Sequence, residues 1–324
     1  MIEPLRRMLD LPSMLYRDQR WRRHGNKASN KSKFVYCKPL GGLNDSLCQI
    51  NKCLVYCLLN QRILVINAVN SGQLQRLDDY FRVHPSATGS IVIADSIKAL
   101  TSSASIFPED LSEDVDQLVP VFDRQTSIHV DQITRVPTRF EFHEYPHDVL
   151  FHSQCGGGAG WSALERFRLT EKALAAVQQR LCDLPSDYHA LHIRDTDYSA
   201  DLEAFLKGIL PILKRDKLPC LICTDNPKTA ATVKQELTGI ETLSIFRFPP
   251  GMEPGQSLHY SPQARGWDFD IGMIADLIAM ARSRQLLICP LKQGGFSGFG
   301  LLARDLQSRP HVLARLTRHK SSPP

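Results

Sequence analysis

The sequence predicts an α/β protein of two domains, each with a parallel sheet covered by helices. Short apolar runs alternate with amphipathic stretches of helical period in both halves of the chain, which is the pattern of parallel α/β folding. The chain has 324 residues, a length that exceeds one ordinary domain and can supply two cores. Hydrophobic residues make up 43% and charged residues 23% of it, which is typical of a globular enzyme and not of a disordered chain.

In the first half, four apolar runs and one amphipathic segment define the expected elements. Strands are expected at 34–39, 62–68, 90–95 and 148–153, and a helix at 45–59. Leu47, Ile50, Leu54, Cys57 and Leu58 recur with the helical period in that segment. We therefore expect one face of this helix to pack against the sheet.

The second half repeats the pattern and predicts a doubly wound nucleotide-binding domain. Strands are expected at 188–194, 219–224, 242–246 and 285–290, and helices at 170–181, 201–214, 227–238 and 270–283. A glycine-rich run at 155–160 lies between the halves, and a cleft loop and a simple connection explain it equally well. The expected division is a basic extension over 1–33, an α/β domain over 34–165 and a Rossmann-type domain over 166–324.

The extension over 1–33 carries much of the formal net charge of +5. Its basic residues are Arg6, Arg7, Arg17, Arg20, Arg22, Arg23, Lys27, Lys31 and Lys33. A solvated extension is the favoured interpretation, and peripheral contact with an anionic membrane is the alternative. Nucleic acid is disfavoured as a partner because aromatic residues do not interleave with the basic ones. No apolar run has the length of a signal peptide core or a membrane span, so a cytoplasmic location is expected.

Nine cysteines lie mostly within apolar patterns and indicate reduced core residues. Cys220 and Cys223 have the spacing of a redox or zinc pair. Alternation along a strand places the two sulfurs on opposite faces, and no second pair follows. We therefore expect no metal or redox site there.

Polar residues follow two neighbouring strands of the second half at the edge where open α/β sheets bind ligands. His192 and Arg194 share one face of the first strand, and Asp195 and Asp197 come directly after it. The next strand ends in Thr224-Asp225-Asn226-Pro227, where proline fits the first turn of a helix. A third segment, with Gly294 and Gly295, leads into a helix that starts at Ser297, which is the pattern of a phosphate cradle.

Taken in order, five motifs resemble the fucosyltransferase superfamily, which includes α1,2- and α1,6-fucosyltransferases, the rhizobial nodulation fucosyltransferase and protein O-fucosyltransferases. They are Gly41-Gly42-Leu43-Asn44-Asp45 before a helix, His192-Ile193-Arg194-Asp195-Thr196-Asp197-Tyr198, Thr224-Asp225-Asn226-Pro227, Asp276 within a helix, and Phe296-Ser297-Gly298-Phe299. The resemblance spans residues 34–306, and its strongest motifs lie in the second half.

The resemblance implies a GT-B-like fold, in which two Rossmann-type domains face each other across a cleft. It also implies inverting transfer of fucose from GDP-fucose to a glycan or lipid-linked saccharide, with no metal and no further cofactor. Arg194 would hold the diphosphate, and His192 and Asp276 would recognise guanosine, with Asp225 beside them. Donor contacts are further implied for Gly295, Phe296, Ser297, Gly298 and Phe299 and, across the cleft, for Gly41, Gly42, Asn44 and Asp45.

Arg194 is the principal catalytic residue that this chemistry predicts. Without a metal, the charge that develops on the leaving diphosphate needs a cation, and a guanidinium offers paired hydrogen bonds. The structural alternative is an ion pair between Arg194 and Asp195 or Asp225. A carboxylate would also help by taking the proton of the acceptor hydroxyl, and Asp197, Asp201 and Glu203 are the predicted candidates.

The chain departs from both subfamily patterns, so the linkage stays open. The α1,6 enzymes carry a second basic residue where this chain has Asp195, and a lysine where it has Tyr198. The α1,2 relatives show Gly-Asn-Gln in the first loop and Asn-Ser-Thr-Phe-Ser before the last helix, which differ from the present residues 44–46 and 293–297. Related scaffolds also accept other nucleotide sugars.

Other functions fit these motifs less well. The Asp-x-Asp pairs at 195–197 and 268–270 match the manganese motif of GT-A enzymes, but such short motifs recur by chance, and Asp268 and Asp270 suit a helix start. A non-catalytic nucleotide- or sugar-binding protein of the same fold is a further alternative. A Rossmann dehydrogenase is disfavoured because no Gly-x-Gly-x-x-Gly follows a strand.

Overall fold

The computed structural model describes residues 32–98, 104–249 and 265–318. Residues 1–31 of the predicted basic extension lie outside this range. The strands are β1 Phe34–Cys37, β2 Ile63–Asn67, β3 Val69–Ser71, β4 Leu74–Arg76, β5 Phe81–Val83, β6 Ile91–Ala94, β7 Ile106–Phe107, β8 Val121–Asp123, β9 Ile128–Val130, β10 Val149–His152, β11 Phe167–Leu169, β12 His189–Ile193, β13 Cys220–Thr224, β14 Thr242–Leu243 and β15 Gln285–Ile288.

The α-helices of the described residues are α1 Leu43–Asn60, α2 Leu77–Tyr80, α3 Trp161–Leu164, α4 Glu171–Leu181, α5 Leu202–Asp216, α6 Pro227–Glu236, α7 Trp267–Arg282, α8 Gly298–Gln307 and α9 Pro310–Leu316. None of these helices has both the length and the apolar character that crossing a bilayer requires. Every strand and helix predicted above is present, and each predicted strand is shorter than its apolar run by one to three residues in all.

The first sheet is parallel, with strand order β6-β2-β1-β10-β7. Helix α1 packs against it through fully buried Ile50, Cys53, Tyr56 and Cys57, as the helical period predicts. The helix begins after Gly42, whose N–H donates to the Asp45 carboxylate at 3.3 Å. This start lies at the carboxyl end of the sheet, where loops are free to face a ligand.

The second sheet is also parallel, with strand order β14-β13-β12-β15. The predicted strand at 242–246 is reduced to two residues, because Phe246 leaves the sheet and packs its ring edge-on against Phe269 of α7, with ring centroids 5.4 Å apart. Cys220 and Cys223 pack into different hydrophobic clusters on the two faces of β13, as strand alternation predicts. Seven of the nine free cysteines are buried; Cys155 and Cys182 are exposed.

The last helices connect the two halves of the chain. Helix α8 packs against α7 of the second half and against α1 of the first. Farther on, the Arg315 guanidinium donates to the Glu165 carbonyl at 3.0 Å, and Arg309 lies 3.8 Å from the centre of the Trp161 ring. One buried apolar cluster therefore continues from the first sheet to the C-terminal helices. The domain boundaries stay a prediction.

The starts of α1 and α8 approach closely at Asn44. A Cβ added to Gly298 would lie 2.9 Å from the Asn44 amide nitrogen, and one added to Gly160 would lie 2.6 Å from its amide oxygen. Real Cβ atoms do not come this close to a neighbour, so a side chain at either position would push the Asn44 amide aside, and glycine at both positions lets the helix starts meet around it. This contact brings the first motif of the sequence against the last one.

Gly298→Ala should lower the free energy of unfolding by up to about 1 kcal/mol, the low end of the overpacking range, because the methyl group displaces only the far end of the Asn44 side chain. Asn44→Ala in the same chain should relieve the overlap, so the double variant should lose less stability than the two single losses added together. Gly208→Ala is the control, because this exposed helical position has open space around it and should gain up to about 1 kcal/mol. Denaturant unfolding measures all four, and strictly additive losses would contradict the overlap.

Candidate functional site

A cavity of about 310 Å³ opens between the carboxyl end of the second sheet and the start of α1. Its lining residues are Gly42, Leu43, Asn44, Asp45, Gln73, His192, Arg194, Tyr198, Cys223, Thr224, Asp225, Phe246, Phe269, Met273, Asp276, Leu291, Phe296, Ser297, Gly298 and Phe299. The five motifs singled out in the sequence all contribute to this lining. The size lies within the usual range of small-molecule sites, about 300–1,000 Å³.

Arg194 follows β12 and lies at one wall of the cavity with 14% of its side chain exposed. Its guanidinium pairs with two carboxylates: Asp197, at 2.7 and 2.8 Å, and Asp225, at 3.1 Å. Arg194 thus forms an ion pair with Asp225, one of the two partners expected if its role were only structural. Because Arg194 also lines the cavity, the pairing orients the guanidinium and leaves it within reach of a ligand.

Asp225 is buried and is held by groups of the neighbouring strand end. The Asp195 N–H donates to it at 2.8 Å, and the Thr196 hydroxyl donates at 2.6 Å. Burial raises the pKa of this carboxyl, and the Arg194 guanidinium and these two donors oppose the rise. Asp225 therefore fastens the end of β13 to the loop that follows β12.

Asp195, the departure from the α1,6 pattern, has a positioning role in this structure. Its carboxylate accepts from the Thr229 hydroxyl at 2.6 Å and from the Ala200 N–H at 3.2 Å, and its carbonyl accepts from the Asn226 side chain at 2.8 Å. These contacts fasten the loop after β12 to the start of α6. The carboxylate is thereby engaged with the scaffold outside the cavity lining.

His192 lies at depth in the cavity, 6% exposed. Neither ring nitrogen finds a hydrogen-bond partner among the described residues. Burial lowers the pKa of His192 to about 3, and the nearby Arg194 cation adds to the effect, so the imidazole is neutral. Gly300 makes room for the ring, since a Cβ there would lie 2.5 Å from the His192 Cδ2 atom.

Asp276 on α7 is the second buried polar group of the cavity, also 6% exposed. Its Oδ1 atom has no hydrogen-bond partner within the part of the chain that the structure describes. Burial raises the pKa of Asp276 to about 8, and the Cys223 thiol beside it and the more distant Arg180 oppose the rise. A buried carboxyl without a full set of partners is costly, so a ligand that donates a hydrogen bond to Asp276 would remove part of this cost.

Apolar side chains complete the inner walls. Phe269, Met273 and Asp276 recur every three or four residues and thus share one face of α7, and Phe246 packs on Phe269. The Phe299 ring also lines the cavity, and its centre lies 5.8 Å from that of the His192 ring. The cavity therefore combines flat apolar walls with two polar groups, an arrangement that suits a heteroaromatic ring.

The outer part of the cavity is formed by helix starts. Ser297 precedes α8, and no side-chain cap bond is formed there within the described residues. The first N–H groups of a helix have no intrahelical acceptor, so the start of α8 presents donors and a positive dipole end. Across the cavity, Asp45 sits at the start of α1. Burial raises its pKa, and the Gly42 N–H and the attraction of Arg194 oppose the rise.

The other predicted residues lie around this lining. Gly41, with φ of 87°, and Gly295, with φ of 78°, directly precede lining residues and adopt the backbone region that favours glycine. Asp197 contacts the cavity through Arg194. Asp201 and Glu203 are exposed at the start of α5 and lie outside the cavity lining.

Some lining residues were missed by sequence reasoning. The α7 face could have been found, because Phe269 and Met273 precede Asp276 at helical spacing. Gln73, Leu291 and Phe246 lie in loops without a periodic signal, and only tertiary structure brings them to the cavity.

The four carboxylates of the two Asp-x-Asp pairs have different surroundings. Asp195 is held by Thr229 and Asp197 by Arg194. Asp268 is mostly exposed and pairs with Arg180, whereas Asp270 is fully buried. Both lie in the first turn of α7, as predicted. No group of three His, Cys, Asp or Glu side chains able to hold a metal occurs among the described residues.

No protein-family model matches the chain, and no curated protein matches its sequence. Among solved structures, it is similar to the fucosyltransferase NodZ from Bradyrhizobium, with 15% identity and a TM-score of 0.58 over 86% of this chain and 94% of the other. NodZ alpha-1,6-fucosyltransferase co-crystallized with GDP gives 15% identity and 0.57 over 86% and 93%. The crystal soaked with GDP-fucose gives 15% and 0.55 over 85% and 93%. At this identity the likeness shows the fold, and it confirms the GT-B-like class of two Rossmann-type domains.

The raised pKa of Asp276 predicts how stability depends on pH. An unfolded Asp ionises near pH 4, whereas the folded carboxyl resists ionisation up to about pH 8. The contribution of Asp276 to the free energy of unfolding is therefore fully present below about pH 4. It is lost as the pH rises towards 8, by at most about 1.4 kcal/mol per pH unit.

Asp276→Asn removes this titration, so its stability relative to the wild type should increase between pH 5 and pH 8. Urea unfolding of both proteins at the two pH values measures the change. Asp268→Asn, on an exposed position of the same helix, is the control and should show little of it. A pH-independent difference between wild type and Asp276→Asn would contradict the raised pKa.

Proposed function

We propose that the chain is a glycosyltransferase that transfers fucose from GDP-fucose to a glycan hydroxyl, with inversion and without a metal ion. The observation that carries the proposal is the order of groups along one cavity. Two buried polar side chains, each with at least one polar atom unpaired among the described residues, lie at depth, and the less buried Arg194 and two helix starts border the same cavity. This order matches a purine base followed by a diphosphate and a sugar.

Guanine is the base that the inner groups fit. The N1–H and amino group of guanine are adjacent donors, and an ionised Asp276 can accept from both. The neutral His192 ring offers one donor and one acceptor for the remaining polar atoms of the nucleoside. Phe269 and Met273 provide apolar contacts for the faces of the base. Adenine lacks the paired donors, so it should leave the buried carboxylate unsatisfied.

The diphosphate is proposed to lie between Arg194 and the start of α8. The guanidinium would form paired hydrogen bonds to phosphate oxygens, and Ser297 with the following N–H groups would hold the remaining oxygens. When the bond from sugar to phosphate breaks, charge grows on the leaving diphosphate. A preorganised guanidinium stabilises that charge without reorganising at the moment of reaction.

A carboxylate is proposed as the general base for the acceptor hydroxyl, and Asp197, Asp201 and Glu203 stay the candidates. The Asp197 carboxylate is hydrogen-bonded to Arg194 and so lies beside the proposed diphosphate, whereas Asp201 and Glu203 lie outside the cavity lining. Transfer with inversion requires the hydroxyl to attack the sugar from the side opposite the leaving diphosphate. A carboxylate on that side accepts the proton as the new glycosidic bond forms.

The similar solved structures support the donor. They are fucosyltransferases on the same fold, and two of them were obtained with GDP or GDP-fucose. The α1,6 linkage named for them is not proposed for this chain, because Asp195 and Tyr198 replace the basic residues of that pattern.

Arg194→Ala and Arg194→Lys should both lose donor turnover. The purified variants and wild type are mixed with GDP-fucose in EDTA and, separately, in manganese, and donor hydrolysis is followed. Loss of a preorganised transition-state contact predicts a fall of about 10²–10³ in rate, and lysine should restore little because it lacks the paired geometry. Arg284→Ala, an exposed arginine at the opposite edge of the same sheet, is the control.

Equal hydrolysis in EDTA and manganese is the expected result for the wild type. Turnover that needs manganese would reject the metal-free mechanism, and preference for a UDP-sugar would reject fucose while leaving the fold unaffected. GDP-fucose binding without any turnover would favour a non-catalytic nucleotide-sugar-binding protein.

Asp276→Asn should weaken GDP binding by about tenfold to a few hundredfold, because it removes a charged acceptor from a buried pair of hydrogen bonds. In the wild type, GDP affinity should rise with pH up to about 8, since the base binds the ionised carboxylate. Isothermal titration with GDP, ADP and UDP at pH 6, 7 and 8 measures both effects, and Asp268→Asn is the control. A GDP affinity that does not change between pH 6 and pH 8 would show that Asp276 does not bind the guanine base.

A further inference from the structure

Two exposed aromatic side chains lie at the mouth of the cavity. Tyr198 is 47% exposed and Phe296 is 43% exposed, and both belong to the cavity lining. Among the described residues, the other large apolar side chains with such exposure, Phe122 and Ile133 among them, lie in the first half of the chain, outside that lining. Exposed apolar groups that gather at one cleft mark a binding surface.

Backbone contacts hold these two aromatics in one structural unit. The loop after β12 pairs with the loop after β15 through a bridge between Ala200 and Leu291, and the Lys292 N–H donates to the Ser199 carbonyl at 2.9 Å. The Leu291 N–H in turn donates to the Gly295 carbonyl at 3.1 Å, directly before Phe296. Tyr198, Leu291 and Phe296 are called the apolar ledge below.

The ledge lies next to the proposed point of transfer. Tyr198 follows Arg194 by four residues, and Phe296 directly precedes Ser297 at the start of α8. Arg194 and Ser297 are the two groups proposed to hold the diphosphate. A molecule bound to the apolar ledge is therefore beside the sugar end of the donor, whereas the proposed guanine subsite around Asp276 is buried.

We infer that the apolar ledge binds the acceptor by stacking against the C–H face of a neutral hexopyranose ring; this inference rests on the proposed function. The face of an aromatic ring carries partial negative charge and attracts the partly positive C–H groups of a sugar. The Tyr198 hydroxyl and the Arg304 guanidinium, 5.9 Å from the Phe296 ring centre, provide donors for the hydroxyls at the ring edge. The acceptor class is thus a glycan with an unsubstituted axial C–H face.

Saturation-transfer NMR on the full chain tests this inference. Cellobiose and lactose are the neutral pyranose probes, and sorbitol, an open-chain polyol without such a face, is the control ligand. Spectra are recorded with and without GDP. Saturation should be strongest at the axial protons of one ring face, and sorbitol should receive little.

Tyr198→Ala and Phe296→Ala should each lower the transfer about three- to tenfold, the range expected for one aromatic contact, and the double variant should abolish it. Tyr198→Phe and Phe296→Trp should retain it, because they keep a ring at each position. Phe122→Ala removes a similarly exposed ring in β8 and should leave the spectra unchanged.

Three results would contradict sugar binding at the apolar ledge. They are the absence of saturation transfer to both disaccharides in the wild type, saturation transfer that persists in the double variant, and equal saturation transfer to sorbitol. GDP affinity measured on the same samples separates the two proposals. If the alanine variants lose GDP affinity in the same proportion as saccharide transfer, the ledge belongs to the donor; if wild type binds saccharide but no guanine nucleotide, the donor assignment fails and the ledge stands.

Discussion

The buried carboxylate of Asp225 is the constraint on which the site geometry depends. A buried carboxylate is stable only with partners, and Asp225 finds them in the Asp195 N–H, the Thr196 hydroxyl and the Arg194 guanidinium. All three belong to the end of the neighbouring strand. The contacts that satisfy Asp225 therefore also fix the direction in which Arg194 faces the cavity.

The second constraint is the close approach of α1 and α8 at Asn44. Glycine at 160 and 298 lets the two helix starts meet around one side chain, so N–H groups from both halves border one cavity. Positive dipole ends repel each other when no anion is present. The Asp45 carboxylate at the start of α1 offsets part of the positive charge of the helix ends, and Arg194 attracts it electrostatically across the cavity.

Sequence reasoning predicted the parallel sheets and most of the polar lining, because strand ends and glycine-rich helix starts leave local signals. It did not predict the small strands β3, β4 and β5, whose short runs are stabilised by tertiary contacts rather than by pattern. Asp195 shows the limit most clearly. As a sequence letter it indicates only a departure from a family pattern, whereas its contacts with Thr229 and Ala200 show that it fastens the loop carrying Tyr198.

His192 and Asp276 show why such a site costs stability when it is empty. Each is buried and has at least one polar atom without a hydrogen-bond partner among the described residues. Burial shifts each pKa in the direction that favours the neutral side chain, to about 3 for His192 and to about 8 for Asp276. A core selected for stability alone would place apolar residues at both positions. The penalty is removed only by a ligand that supplies donors to Asp276. Part of the binding free energy of that ligand is therefore stored in the fold before the ligand arrives, and it is available only to a ligand with the matching hydrogen-bond pattern.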